Sequence, residues 1–187
     1  KSLFLANEIE LSNELISQIR CNGLSPKTVF ISTLKNYDVQ RELINLFKKE
    51  DIKLIITTTS FSSSINSCNE NIDDNLNIFK SLNLPILQIL SSNKSRKNWL
   101  QSSTGMNSTD LLMQIIIPEF DGRITTKPCA FKEVISENKT LCSKITSYKV
   151  DFGNIKWITK LTSNYVKLNN LNNFDKKISL VIANYPV

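Results

Sequence analysis

The 187-residue chain has 23 lysines and arginines against 17 aspartates and glutamates, and 41% of it is hydrophobic. This composition suits one globular domain, or one compact piece of a larger protein, and excludes collagen-like and low-complexity chains. The four cysteines, at positions 21, 68, 129 and 142, form no CxxC pair, and histidine is absent. The sequence therefore excludes a Cys–His pair and a Ser–His–Asp triad and offers no recognisable zinc site. Four reduced structural thiols of a cytoplasmic protein are expected.

Positive charge is concentrated in the last third of the chain. Residues 1–122 hold 12 basic and 13 acidic side chains, whereas residues 123–187 hold 11 basic and 4 acidic ones. Such a segment suits a solvated surface, an anionic ligand or an acidic partner. No nucleic-acid partner is expected, because the lysines are scattered and no nucleic-acid-binding motif accompanies them. No membrane span is expected either, because no apolar run approaches the roughly 18 residues that cross a bilayer.

The first half of the chain alternates between amphipathic helices and short apolar runs. Apolar side chains at a helical period predict helices over residues 7–21, 39–49, 71–81 and 94–101. Between them, apolar and β-branched runs predict strands over residues 28–32, 52–57 and 86–90. This alternation predicts an α/β fold, a layered Rossmann-like or flavodoxin-like domain with a parallel sheet.

The segment from Gly105 to Glu133 departs from this alternation of helices and short strands. Residues 107–110 are typical of a helix N-terminus, an apolar run follows, and Pro118 is expected to break it. Segments 123–134 and 140–150 predict an antiparallel strand pair, and so a β-rich extension after residue 122. A helix over 154–168 and a last strand over 178–183 complete the prediction. We expect residues 1–187 to form one α/β domain or part of a larger multidomain subunit, with a sub-boundary near 102–122 and a next segment starting at 177.

Small polar side chains follow three of the predicted strands. They are Ser32-Thr33, Thr57-Thr-Thr-Ser60 and Ser91-Ser-Asn93. In open α/β sheets, ligands bind outside the carboxyl ends of the strands. Serine, threonine and asparagine are also common in ordinary loops, and the sequence leaves both interpretations open. No glycine-rich dinucleotide or P-loop motif is present, so no cofactor-binding residue is assigned.

Four phrases of the chain resemble one protein family. They are Val29-Phe-Ile-Ser-Thr-Leu-Lys35, Ile55-Ile-Thr-Thr-Thr-Ser-Phe-Ser62, Pro118-Glu-Phe-Asp-Gly122 and Ser179-Leu-Val-Ile-Ala-Asn-Tyr-Pro186. In this order they resemble the large subunit of the class I tetrapyrrole metal chelatases, which act on cobalt or magnesium. The phrases Ala130-Phe-Lys-Glu133 and Asn184-Tyr-Pro186 resemble the cobalt branch.

The resemblance implies part of the large subunit of an ATP-dependent cobaltochelatase. Such an enzyme inserts Co²⁺ into a corrin-precursor tetrapyrrole of the hydrogenobyrinate diamide type, in cobalamin synthesis. ATP would be hydrolysed on separate AAA+ ATPase subunits, with accessory subunits as further partners, all in the cytoplasm. This piece alone is expected to be inactive. The alternatives are a magnesium chelatase acting on protoporphyrin IX with Mg²⁺ in chlorophyll synthesis, and a non-enzymatic α/β sensor module that binds a small ligand.

The chemistry of metal insertion points to candidate residues in the Pro118–Gly122 phrase. Insertion removes two pyrrole N–H protons and strips water from the ion, and carboxylates suit both tasks. The predicted catalytic residues are Glu119 and Asp121, unless they serve only as a solvent-facing residue and a turn former. No metal ligand is assigned with certainty. The predicted substrate-binding residues are Arg123, Lys127 and Lys132, for substrate carboxylates, and Phe120, for the macrocycle, with Trp99 and Tyr185 as further aromatic candidates.

Overall fold

A computed structural model describes residues 2–5, 8–63, 78–140 and 142–182, with side chains from residue 4 onwards. In chain order, the helices are α1 (Ser2–Leu5), α2 (Glu10–Cys21), α3 (Tyr37–Lys49), α4 (Ile78–Leu82), α5 (Arg96–Gln101), α6 (Ser108–Leu111), α7 (Ile117–Glu119) and α8 (Phe152–Asn170). A π-helical segment, Leu112–Ile116, joins α6 to α7, and a 3-10 turn follows α8 at Asn173–Asp175. The strands are β1 (Ile55–Thr57), β2 (Ile86–Ser92), β3 (Ile124–Asn138) and β4 (Ser143–Val150).

The four strands form one sheet in the order β1-β2-β3-β4. β1, β2 and β3 are parallel, with Ile55 opposite Ile86 and Leu87 opposite Ile124. β4 turns back and pairs antiparallel with β3. This arrangement confirms both the layered α/β class and the β-rich extension after residue 122.

Helices cover both faces of the sheet. On one face, α3 and α4 pack on β1 and β2. On the other face, α2 and α8 pack on β2 and β3. Adjacent residues of a strand point to opposite faces, so Ile55 belongs to the first core and Ile56 contacts the second. The first core comprises Leu34, Leu43, Ile44, Ile55, Ile78, Phe79 and Ile86, and the second comprises Leu15, Ile89, Cys129, Ile155 and Ile158.

Two of the predicted strands do not form within the described residues. Residues 28–32 form no strand, and Val29 and Phe30 stay about two-fifths exposed. Residues 178–182 also form no strand, while Ala183 lies outside the described residues. Strand propensity reflects packing against neighbouring strands, and in the described part of the chain neither segment has one beside it. Of the predicted helix 71–81, residues 71–77 lie outside the described part, and α4 accounts for the rest.

The predicted helix break at Pro118 is wrong, because the backbone widens before the proline and stays helical. A proline removes one helical hydrogen bond, and its ring clashes with the carbonyl four residues earlier. The π-helical segment Leu112–Ile116 immediately precedes α7, which contains Pro118 near its start. A π-helix replaces four-residue with five-residue spacing, which makes room for the ring. Helical backbone therefore continues from Ser108 to Glu119.

The described cysteines are free thiols: Cys21 and Cys142 are exposed and Cys129 is buried. Burial, with the charge of Asp151 as a smaller cause, raises the pKa of Cys129 to about 12, so this thiol stays protonated. Cys68 lies outside the described residues. In the described ranges, no helix is both long and apolar enough to cross a membrane.

Candidate functional site

The acidic turn, residues 118–122, connects α7 to β3 and presents two side chains to solvent. Its backbone closes through hydrogen bonds from Asp121 N to the Pro118 carbonyl (3.0 Å) and from Gly122 N to the Glu119 carbonyl (2.9 Å). Gly122 has φ +74°, a left-handed conformation that glycine adopts without strain. Phe120 is 82% exposed. Glu119 is also exposed, and its Oε1 accepts a long 3.4 Å hydrogen bond from Thr125. The turn therefore leaves a carboxylate and an aromatic ring side by side and accessible.

Asp121 points the other way, into a buried ion pair with Arg123. The Nη2 of Arg123 lies 2.8 Å from Oδ2 of Asp121, and both side chains are 0% exposed. Two further partners of Asp121 come from the loop after β1: Ser62 Oγ donates to Oδ1 and Ser63 N donates to Oδ2, each at 2.8 Å. A buried carboxylate with a guanidinium and two further donors is held in place on every side.

Arg123 completes this attachment of the loop to the start of β3. Its guanidinium donates to the carbonyls of Thr59 (2.7 Å) and Phe61 (2.8 Å) and to Oε1 of Gln88 (2.9 Å). The group also lies 4.9 Å from the ring centroid of Phe79. Burial lowers the pKa of Arg123, opposed by the hydrogen bond and charge of Asp121.

The predicted roles of Asp121 and Arg123 require contact with substrate, and neither side chain reaches solvent here. Together they hold the turn that carries Glu119 against the loop after β1. Arg123 cannot pair with a substrate carboxylate without giving up several of its present partners.

The two predicted lysines lie on the exposed part of β3. Nζ of Lys127 lies 4.5 Å from the ring centroid of Trp157 on α8. Lys132 lies opposite Tyr148 of β4, with Nζ 5.9 Å from that ring. A strand rises by about 3.3 Å per residue, so Lys132 is roughly 23 Å along β3 from Thr125, the partner of Glu119. The structure thus places Lys127 nearer to the acidic turn and Lys132 far from it.

A second site, the strand-end crevice, lies where the parallel strands end. It has a volume of about 220 Å³. Polar groups from two of the three predicted strand ends meet in it, namely Thr58 and Ser60 after β1 and Ser91 in β2, whereas Ser32 and Thr33 do not line it. The remaining lining residues are Glu8, Glu10, Leu11, Gln114, Ala130 and Tyr148.

Two of the side chains that hold the crevice wall, Gln114 and Tyr148, were not predicted from the sequence. Gln114, in the π-helical segment, makes two 2.8 Å hydrogen bonds with the backbone N–H and carbonyl of Ser91. Asp110, which is buried, accepts from Asn93 Nδ2 at 2.7 Å. Asn93 in turn accepts from the Tyr148 hydroxyl at 2.9 Å. Burial, and then the charges of Asp110 and Glu8, raise the pKa of Tyr148.

π-helical segments are frequent at functional sites, and the apolar run that meets Pro118 was the sequence signal available for the segment Leu112–Ile116.

Acidic and thiol groups are dispersed in the described part of the chain. No group of three or more His, Cys, Asp or Glu side chains is placed there to hold a metal ion. In the crevice, Glu10 is also engaged by Lys149, whose Nζ lies 3.1 Å from Oε2.

The fold and these sites define an α/β domain with polar strand ends and an exposed acidic turn. The family model described as CobN/Magnesium Chelatase matches residues 1–187. An uncharacterized protein of Methanocaldococcus jannaschii is 33% identical over 100% of this chain and 16% of its own length. The aerobic cobaltochelatase subunit CobN of Pseudomonas aeruginosa is 28% identical over 98% of this chain and 15% of its own length. The chain belongs to the CobN/magnesium chelatase family.

A solved structure supports the fold. The catalytic subunit of cobaltochelatase from Mycobacterium tuberculosis superposes with a TM-score of 0.72 at 23% identity, covering 94% of this chain and 15% of that one. The chain spans about one sixth of the length of the curated relatives it matches.

Proposed function

We propose that the chain forms part of the large, tetrapyrrole-binding subunit of an ATP-dependent cobaltochelatase. The observation that carries this proposal is the family match over the whole chain, together with two cobaltochelatase subunits among its relatives. The metal substrate would be Co²⁺ and the tetrapyrrole a corrin precursor of the hydrogenobyrinate diamide type, in cobalamin synthesis. ATP would be hydrolysed on AAA+ partner subunits of the same cytoplasmic complex.

In this proposal Glu119 accepts a pyrrole proton or passes the metal ion to the macrocycle. Metal insertion must remove two N–H protons, and a general base has to reach them directly or through one water. Glu119 is accessible, and one long hydrogen bond from Thr125 leaves its carboxylate room to accept more. The rigid base of the turn favours this role, because catalytic groups act best when their geometry is fixed beforehand.

Phe120 and the lysines would bind the substrate around that carboxylate. The ring of Phe120 is 82% exposed, an unusual position for a phenylalanine and one suited to stacking on a flat macrocycle. Lys127 lies on β3, the strand that follows the turn, and would pair with a peripheral carboxylate. Lys132, whose Nζ lies 5.9 Å from the ring of Tyr148, would contact a more distant part of the substrate.

A titration of the full-length protein tests the substrate. Hydrogenobyrinate diamide and protoporphyrin IX are added separately, and binding is followed by quenching of tryptophan fluorescence. The cobalt assignment predicts that the corrin precursor binds at least about tenfold more tightly, a difference of about 1.4 kcal/mol. Tighter binding of protoporphyrin IX would instead assign the protein to the magnesium branch.

A non-enzymatic ligand-binding module is the competing class, and the strand-end crevice is the observation that favours it. Its polar lining at the carboxyl ends of parallel strands is where α/β sheets bind ligands. Failure of both tetrapyrroles to bind in the titration would support this alternative and overturn the chelatase proposal.

A further inference from the structure

An open groove of about 710 Å³ runs along the outer edge of β1. Within the described part of the chain, β1 pairs with β2 alone, so its other edge faces the groove. Residues 24–30 form the opposite wall, and Thr162 and Val166 of α8 contribute to the lining. An unpaired strand edge is a template for another strand.

The direction of the backbone hydrogen bonds shows which groups face this groove. Ile55 N donates to the Pro85 carbonyl at 3.0 Å, on the side of β2. Successive residues of a strand direct their N–H and C=O groups to alternate edges. The N–H and C=O of Ile56 therefore point away from β2, towards the groove.

The same chain holds an extended apolar segment with nothing packed on it in the described structure. Ile178, Leu180, Val181 and Ile182 are 82–90% exposed. Helices cover both faces of the sheet beside β1, and a strand buried on both faces needs an almost continuous apolar run. Residues 178–182, Ile-Ser-Leu-Val-Ile, have that pattern, with Ser179 as the one polar side chain.

The path of α8 leads to the groove. Its first half packs through Ile155 and Ile158 against β2 and β3, and its second half lines the groove beside β1. α8 thus crosses the sheet towards β1 on the face opposite α4, which connects β1 to β2. The connection from β3 through β4 and α8 to a strand beside β1 would run across the sheet in the opposite direction to the β1-to-β2 connection and on the opposite face. Both changes together preserve the right-handed sense of a crossover between parallel strands.

We propose that residues 178–182 of this chain add to the outer edge of β1 as a fifth, parallel strand that fills the groove. The seven residues after α8 span at most about 25 Å, enough to cross one element and reverse. This inference does not depend on the chelatase proposal, because it rests on the open edge, the exposed segment and the course of α8.

Hydrogen exchange of the Ile56 amide in the full chain tests the proposal. We expect this amide to exchange slowly in the unaltered chain and at least about tenfold faster in a Leu180→Asp/Val181→Asp variant, because the acidic side chains prevent burial on either face. The Ile55 amide, bonded to Pro85, is the internal control and should keep its rate. Phe174→Asp, at a position 99% exposed, is the matched control and should change neither rate.

Three outcomes would overturn the proposal. One is a fast Ile56 amide in the unaltered chain, which would leave the edge open. Another is equal protection in the variant, which would mean that another segment covers the edge. The third is protection that grows with protein concentration, which would assign the strand to a second copy.

Discussion

Arg123→Met is expected to lower the free energy of unfolding by about 3–5 kcal/mol, the usual cost of removing one partner of a buried ion pair. Methionine keeps much of the length and apolar volume of the side chain but removes the guanidinium that pairs with the buried carboxylate of Asp121. The carbonyls of Thr59 and Phe61 and the side-chain oxygen of Gln88 also each lose one donor. Urea unfolding followed by circular dichroism measures the change.

A surface ion pair between β3 and β4 provides the control for this substitution. Lys144 and Glu137 lie 3.0 Å apart with side chains 64% and 54% exposed. Lys144→Met makes the same type of change at a screened site, so it should cost less than about 1 kcal/mol. A loss of under about 1 kcal/mol for Arg123→Met as well would contradict the role of the buried pair in holding the loop and the turn together.

With Glu119 as the proposed general base, Glu119→Gln is expected to lower the turnover of metal insertion by the full-length protein by about 100- to 10,000-fold, the range typical for loss of such a group. Glutamine keeps the size of the side chain and its bond to Thr125, but it does not accept a proton at neutral pH. Because the exposed turn keeps its shape, tetrapyrrole affinity should stay nearly constant. Rates of metal insertion under saturating substrate, beside a fluorescence titration, separate the two effects.

Glu137→Gln is the matched control for this substitution. It makes the same chemical change at an exposed carboxylate near the far end of β3, and turnover should be unaffected. Equal turnover of the unaltered enzyme and Glu119→Gln would remove Glu119 from the mechanism. A matching loss of affinity and turnover would give it a binding role only.

Elements with strong local signals could be predicted from the sequence. The period of Ile155, Ile158 and Leu161 predicts α8, and the two strand-like segments after Gly122 predict the β3–β4 pair. Gly122 itself is a turn signal that the left-handed φ of +74° explains. The π-helical segment before Pro118 was missed because a proline ordinarily indicates a helix end.

Contacts between residues far apart in the chain could not be predicted from the sequence. Nothing around Arg123 indicates that it is buried, because its hydrogen-bond partners other than Asp121 lie 35 to 64 residues away. Gln40 is a similar case: it is polar but 0% exposed, donates to the carbonyls of Leu34 and Ser63 and accepts from Ile78 N. Such residues are identified only when the fold shows which backbone groups lack a partner.

The candidate site also combines features that local sequence signals predict with features that only the fold determines. A short phrase with two carboxylates identified the acidic turn, but only the structure shows that Glu119 and Phe120 face solvent while Asp121 faces the interior. The separation of Lys132 from the turn follows from its position along β3, which chain order alone does not give. The crevice residues Gln114 and Tyr148 come from different elements and share no sequence signal.

Metal insertion by the full-length protein tests the central claim most directly. The protein is combined with the AAA+ ATPase subunits proposed as its partners, hydrogenobyrinate diamide, Co²⁺ and ATP, and the absorbance of the cobalt corrinoid is followed with time. The chelatase assignment predicts that the cobalt corrinoid forms only in the complete mixture and not when ATP or this protein is omitted. Absence of cobalt insertion from the complete mixture, with the tetrapyrrole shown to be bound, would contradict it.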